Sequence, residues 1–199
     1  MFASALRSRW AVVVAILGGL AVSGGLVWQA SYSAFSATTS NPTNNWASGT
    51  VALSDDDSNT ALFTASALKP GSTGTKCIAV TSSGTLASTV KLYGTGAATT
   101  NGLSTYVNLT ITQGTGGTFA NACSGFTPLG TGSSVFSGTL AGFATTATAF
   151  ASGLGTWAPT GTAPETRVFQ FVYTLDAAAP NSAQGGTAAL GFTWEAQNS

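Results

Sequence analysis

Two cysteines, six carboxylates and no histidine make up the reactive inventory of this 199-residue chain. Without an imidazole there is no Ser-His-Asp or Cys-His nucleophile, no His-held zinc to activate water, and no acid/base group of histidine type near neutrality. Asp55, Asp56 and Asp57 are adjacent. They lack the spaced Asp-x-Asp-x-Asp-Gly arrangement that wraps calcium, and three neighbouring acids read as a hydrated turn. Glu165, Asp176 and Glu195 fall at the ends of expected strands, where solvated capping roles outnumber acid/base pairs. No Gly-x-Ser-x-Gly or Cys-x-x-Cys occurs, and the glycines at 94–96 and 114–117 have no lysine beside them to hold a phosphate. The residues therefore point away from an enzyme, a resident cofactor and a metal site.

Cys77 and Cys123 are the only thiols. A reactive thiolate needs a basic neighbour, and neither has one in sequence. In an exported chain the expected state is a disulfide. Closing a loop of 46 residues contributes about 4 kcal/mol in the chain-entropy account. Cys77 alternates with Ile78 and Val80, so its side chain is expected on the outer face of a strand, clipping a loop there.

Export itself is read from the first 33 residues. Arg7 and Arg9 precede an apolar run from Ala11 to about Val27, and small residues follow at Ala30, Ser31 and Ser33. This is the n-region, h-region and cleavage site of a signal peptide, with cleavage expected between Ser33 and Ala34 and a second possibility after Ala30. An uncleaved anchor is the alternative, although the run is short for spanning and its glycines weaken a helix. Removing residues 1–33 leaves four basic and six acidic side chains, so nothing attracts nucleic acid. The expected location is secreted, at the cell surface or in an extracellular matrix, with membrane contact through the signal segment alone.

The elements that must position the remaining residues are strands. Charged residues are 6% of the chain against about 25% in ordinary proteins. Solubility then rests on Thr, Ser, Asn and backbone, which suits Thr-rich strands joined by Gly turns. Alternation predicts strands over 49–53, 61–68, 76–81, 86–93, 106–112, 134–139, 167–176 and 187–195. In the last two, Phe169, Phe171, Tyr173 and Leu175 share one face, as do Ala188, Leu190, Phe192 and Trp194. Residues 69–71 form a Pro-Gly turn of type II. Residues 94–102, 114–132 and 153–164 read as loops, and 140–152 as a short helix weakened by its threonines. The expected fold is all-β: one antiparallel β-sandwich of jelly-roll type over 46–199, with a short helix in a long connection.

Residues 34–45 form a polar arm that opens Ala34, Phe35, Ser36, Ala37, Thr38. Its one aromatic, Phe35, either packs back on its own domain or inserts into a neighbour whose sheet edge accepts a strand.

Four segments in order carry a resemblance: Ala34-Phe35 at the cleavage site, Trp46-Ala47-Ser48-Gly49-Thr50-Val51-Ala52-Leu53, Leu68-Lys69-Pro70-Gly71 leading to Lys76-Cys77-Ile78-Ala79-Val80 and Ser83-Gly84-Thr85-Leu86, and the terminal Leu190-Gly191-Phe192-Thr193-Trp194-Glu195-Ala196-Gln197. Together they resemble the TasA/camelysin family of exported bacterial proteins. Residues 94–164 lie outside the likeness, and the cysteine pair departs from the family's cysteine-poor pattern. The resemblance implies a jelly roll trimmed by a signal peptidase and assembled into biofilm-matrix fibres, with 34–45 as the donor strand and Phe35 as its anchor. Head-to-tail donation of this kind does not close on itself, so it yields a homopolymeric fibre. The family's metallo-endopeptidase label does not transfer, because no histidine is present to hold zinc. The other function compatible with the sequence is a monomeric adhesive or glycan- or protein-binding sandwich, a reading that Trp157 and Tyr93 at the surface would favour.

Overall fold

The computed structural model describes residues 48–198. Within them two antiparallel sheets pack face to face as a sandwich, with one short helix in a connection. The larger sheet has six strands: β1 (Leu53–Asp55), β2 (Thr73–Ser82), β8 (Glu165–Leu175) and β4 (Val107–Thr115) in that order, with β5 (Thr127–Pro128) and β6 (Ser134–Thr139) both against the far side of β4. The smaller sheet holds three, β7 (Leu154–Trp157), β3 (Ser88–Thr99) and β9 (Ala188–Asn198). Successive strands β2, β3, β4 and again β7, β8, β9 alternate between the sheets, as in a jelly roll.

Period-two alternation explains the core. Ile78 and Val80 of β2, Leu109 and Ile111 of β4, and Phe169 and Phe171 of β8 face inward from the larger sheet. Val90 and Leu92 of β3 meet them from the smaller one. Each fully buried side chain of this size contributes about 1.5–3 kcal/mol relative to exposure. A string of rings stitches the layers: Phe143 to Phe192 (5.5 Å between centroids), Phe192 to Phe171 (4.7 Å), Phe171 to Trp194 (6.0 Å), Trp194 to Phe169 (5.3 Å) and Phe169 to Trp157 (6.4 Å). The first and third of these pairs meet edge-on, a geometry that the ring quadrupole favours, and the other three are tilted.

The helix α1 (Leu140–Thr146) is shorter than the expected 140–152. It starts on Thr139, whose hydroxyl accepts from Gly142 N at 3.0 Å. Thr145 and Thr146 bond back to the carbonyls of Ala141 and Gly142, which competes with continuing the helix. A 3-10 turn, Phe150–Ser152, replaces its second half.

Five loop and strand expectations are corrected, the first being 114–132, where β4 runs on to Thr115 and β5 covers Thr127–Pro128. Residues 94–102 are strand rather than turn as far as Thr99, because β9 pairs with β3 on both sides of a bulge between Thr95 and Ala98. Residues 153–164 contain β7, whose Trp157 pairs with Val90 and buries its indole. Residues 61–68 form no strand. Residues 49–52 run beside 83–86 through Thr50 and Ala52, and regular pairing begins only at Leu53 and includes Asp55. Close approach there requires Gly84, since a Cβ would lie 2.6 Å from the Thr50 carbonyl oxygen. The 69–71 turn is as expected, with Ser72 N bonding Lys69 O at 2.8 Å and Gly71 at φ 82°.

Candidate functional site

The feature with the means to bind something is a cleft of about 910 Å³ at one end of the sandwich. It exists because the sheets are unequal in width. Among the described residues β9 pairs with β3 on one side only, so its other edge faces the cleft. Residues 188–192 line the cleft consecutively, inward- and outward-pointing alike, so this wall is the edge of the strand and not its face. The opposite wall is residues 60–68, also consecutive. Between them the floor comes from the larger sheet, with Leu109, Tyr173 and Leu175 beneath Leu190 and Phe192. Leu62 is buried on this floor, and the Phe63 ring packs on Tyr173.

The cleft lies toward the end of the sandwich where β8 finishes and β2 begins. The described chain enters at the other end, where Thr50 bonds to Thr85 beyond the last residue of β2. The two ends are separated by the length of a ten-residue strand, about 30 Å.

The carboxylates do not come together. Glu165 opens β8, and its Oε1 accepts from Thr160 N at 2.6 Å and Thr160 Oγ1 at 2.8 Å. Those bonds, the backbone one foremost, hold its carboxyl below the usual range. Asp176 follows the opposite end of β8 and accepts from Ala178 N. Glu195 sits within β9, which continues to Asn198, and not at a strand end as expected. It accepts from Gln197 Nε2 and Tyr93 Oη, both at 2.8 Å, and these bonds lower its carboxyl while Glu195 raises the Tyr93 hydroxyl.

The acidic triplet is partly a tie. Asp56 Oδ1 accepts from Ala79 N and Oδ2 from Phe119 N, both at 2.8 Å, joining β2 to the excursion after β4. Asp57 caps the following turn by accepting from Asn59 N at 2.7 Å. Asp55 is pushed up, first by burial and then by the Asp57 charge. Among the described residues no group of three or more His, Cys, Asp or Glu is placed to hold a metal.

Cys77 and Cys123 form a disulfide, with Cα atoms 5.1 Å apart. Cys77 is fully buried on the outer face of β2, under the excursion. The bridge suits an oxidising, extracellular type of compartment. Among the described residues no helix is long and apolar enough to cross a membrane. Of the two aromatics that an adhesive surface would use, Trp157 is 3% exposed, and Tyr93 is half-buried with its hydroxyl on Glu195. Lys91 is half-buried and donates to Gly155 O at 2.7 Å.

The cleavage position at Ser33 and Ala34, and the arm residues Ala34, Phe35, Ser36, Ala37 and Thr38, lie outside the described residues. Sequence reasoning missed the cleft. Its one signal was the strand-like 61–68, which the fold leaves without a pairing partner among the described residues. The chain matches no protein-family model and no curated protein.

Proposed function

We propose that this protein is a secreted structural subunit of a biofilm-matrix or surface fibre, in which residues 34–45 of one copy add a strand to the next. The observation that carries the reading is the cleft along the edge of β9 that no described strand pairs with, with an apolar floor and a backbone wall. An edge strand beside an apolar groove is the arrangement used for strand addition, where main-chain bonds supply attachment and pockets take alternate side chains. The arm supplies a matching ligand: Phe35 is its anchor among small and polar residues.

The second support is placement. A chain that enters at one end of the sandwich and a cleft that opens toward the other favour end-to-end addition over a closed pair. The resemblance to the TasA/camelysin family points the same way. In this reading export removes residues 1–33, and the disulfide forms outside the cytoplasm.

Electron micrographs of the purified mature protein, with and without residues 34–45, test the proposal. Filaments are expected from the complete mature chain and single particles from the shortened one. Single particles in both samples would overturn it.

A further inference from the structure

Resting on the fibre reading, we propose that residues 61–68 are a latent strand. When the leading arm of a second copy enters the cleft, this segment pairs with one edge of the arm while β9 pairs with the other. The incoming chain is thereby held between two ladders.

The segment has the composition of a strand, and its spacing predicts one, yet it takes part in no sheet. Among the described residues, none of its backbone N–H or C=O groups makes a hydrogen bond. Water serves these groups in the single copy, since Ala61 and residues 64–67 are exposed, but backbone polar groups have to be paired wherever water is displaced. A strand entering the cleft would expel water from both walls. If only β9 bonded to it, the groups of 61–68 and those on the arm's second edge would be stranded, so pairing on both sides is the arrangement that avoids the penalty.

The backbone on either side fits a segment that can change state. Ser58 (φ 53°) and Asn59 (φ 61°) turn the chain before it, and Ala67 (φ 54°) bends it near its end. Ala67 in the left-handed region is strained, since its Cβ crowds the backbone there. Extending the segment through Leu68 relieves that strain. Leu62 and Phe63 keep the segment beside the floor in the meantime, the latter through Tyr173.

Backbone hydrogen exchange of assembled and single-copy protein tests this directly. Alternate amides in 61–68 and in 188–194, those facing the arm, are both expected to exchange about tenfold or more slowly in filaments. Slowing at 188–194 alone would overturn the latent strand and leave the fibre reading standing. Filaments with no slowing at either segment would overturn the cleft as the docking site and the latent strand with it, and absence of filaments would overturn the fibre reading.

A pair of variants supplies an independent arm. Successive N–H groups in a strand point to opposite edges, so of Thr64→Pro and Ala65→Pro only one removes a bond to the incoming arm. One variant is expected to slow filament growth about tenfold, one lost main-chain bond with its stranded partner being worth about that factor, and the other to grow near the wild-type rate. Equal growth rates for the two variants would overturn the proposal. Melting of each single-copy variant near the wild-type temperature checks that both fold.

Discussion

The rings of Phe63 and Tyr173 meet edge to face, with centroids 4.9 Å apart and planes at 88°. This contact fixes residues 61–68 against β8 where no hydrogen bond among the described residues does so. Phe63→Ala removes the ring pair and part of a half-buried side chain, so a stability loss of about 2 kcal/mol is expected, less than for a fully buried Phe. Urea unfolding would read that loss. Limited proteolysis is expected to cut within 61–68 in the variant before any other site, because local opening there no longer has to break the ring contact.

Asp56 joins two parts of the chain through two N–H groups. Replacing it with alanine strands the N–H groups of Ala79 and Phe119, and a loss of about 3 kcal/mol is expected. Asp56→Asn keeps one acceptor oxygen and should lose about half as much. Both carboxylate oxygens are engaged by protein donors, so added calcium is expected to leave the wild-type melting temperature unchanged. A rise on adding calcium would show that the triplet rearranges around the ion.

The Cys77–Cys123 bridge closes 46 residues. Replacing both cysteines with serine is expected to lower stability by about 4 kcal/mol through the unfolded chain, with a further loss because Cys77→Ser would bury a hydroxyl. Denaturant titration of the double variant beside the oxidised wild type would measure it.

Acid should weaken the fold through Glu165 and Glu195. Both carboxyls lie below the ordinary 4.5 in the folded state, held there by Thr160 for the first and by Gln197 and Tyr93 for the second. Stability from those bonds is complete above the ordinary value and disappears as pH falls through the lower, folded one. Asp55 has the opposite sign. Its raised folded value means that ionisation costs stability as pH climbs past 3.8, so Asp55→Asn is expected to raise the melting temperature at neutral pH. Melting curves from pH 2 to 7 for Glu165→Gln, Glu195→Gln and Asp55→Asn separate the two effects.

The strands that alternated strongly were legible beforehand. Val107, Leu109 and Ile111 mark β4, and the aromatic positions of β8 and β9 mark the two longest inner faces. β7 and the far half of β3 were not, because Gly, Ala and Thr carry little alternation and the strand exists through its partner. Gly94 pairs with Phe192 and Thr95 with Gly191, contacts that local composition does not announce. Residues 61–68 differ in the other direction, with the right pattern and no pairing partner among the described residues. The cleft was illegible for the same reason. It arises from one sheet having three strands and the other six among the described residues, which is a matter of pairing order and not of any motif. The disulfide was accessible, since two thiols leave one pairing once an oxidising compartment is expected.

Entry of the chain at one end of the sandwich and the cleft toward the other has a consequence for growth. A filament built this way has unlike tips, one showing a vacant acceptor and one a bare donor. A copy shortened by residues 34–45 would still receive a neighbour but could not be received, so it would terminate one tip and leave the other extending. A free peptide of the arm sequence would block the opposite tip, and the two reagents together would define the polarity of the polymer.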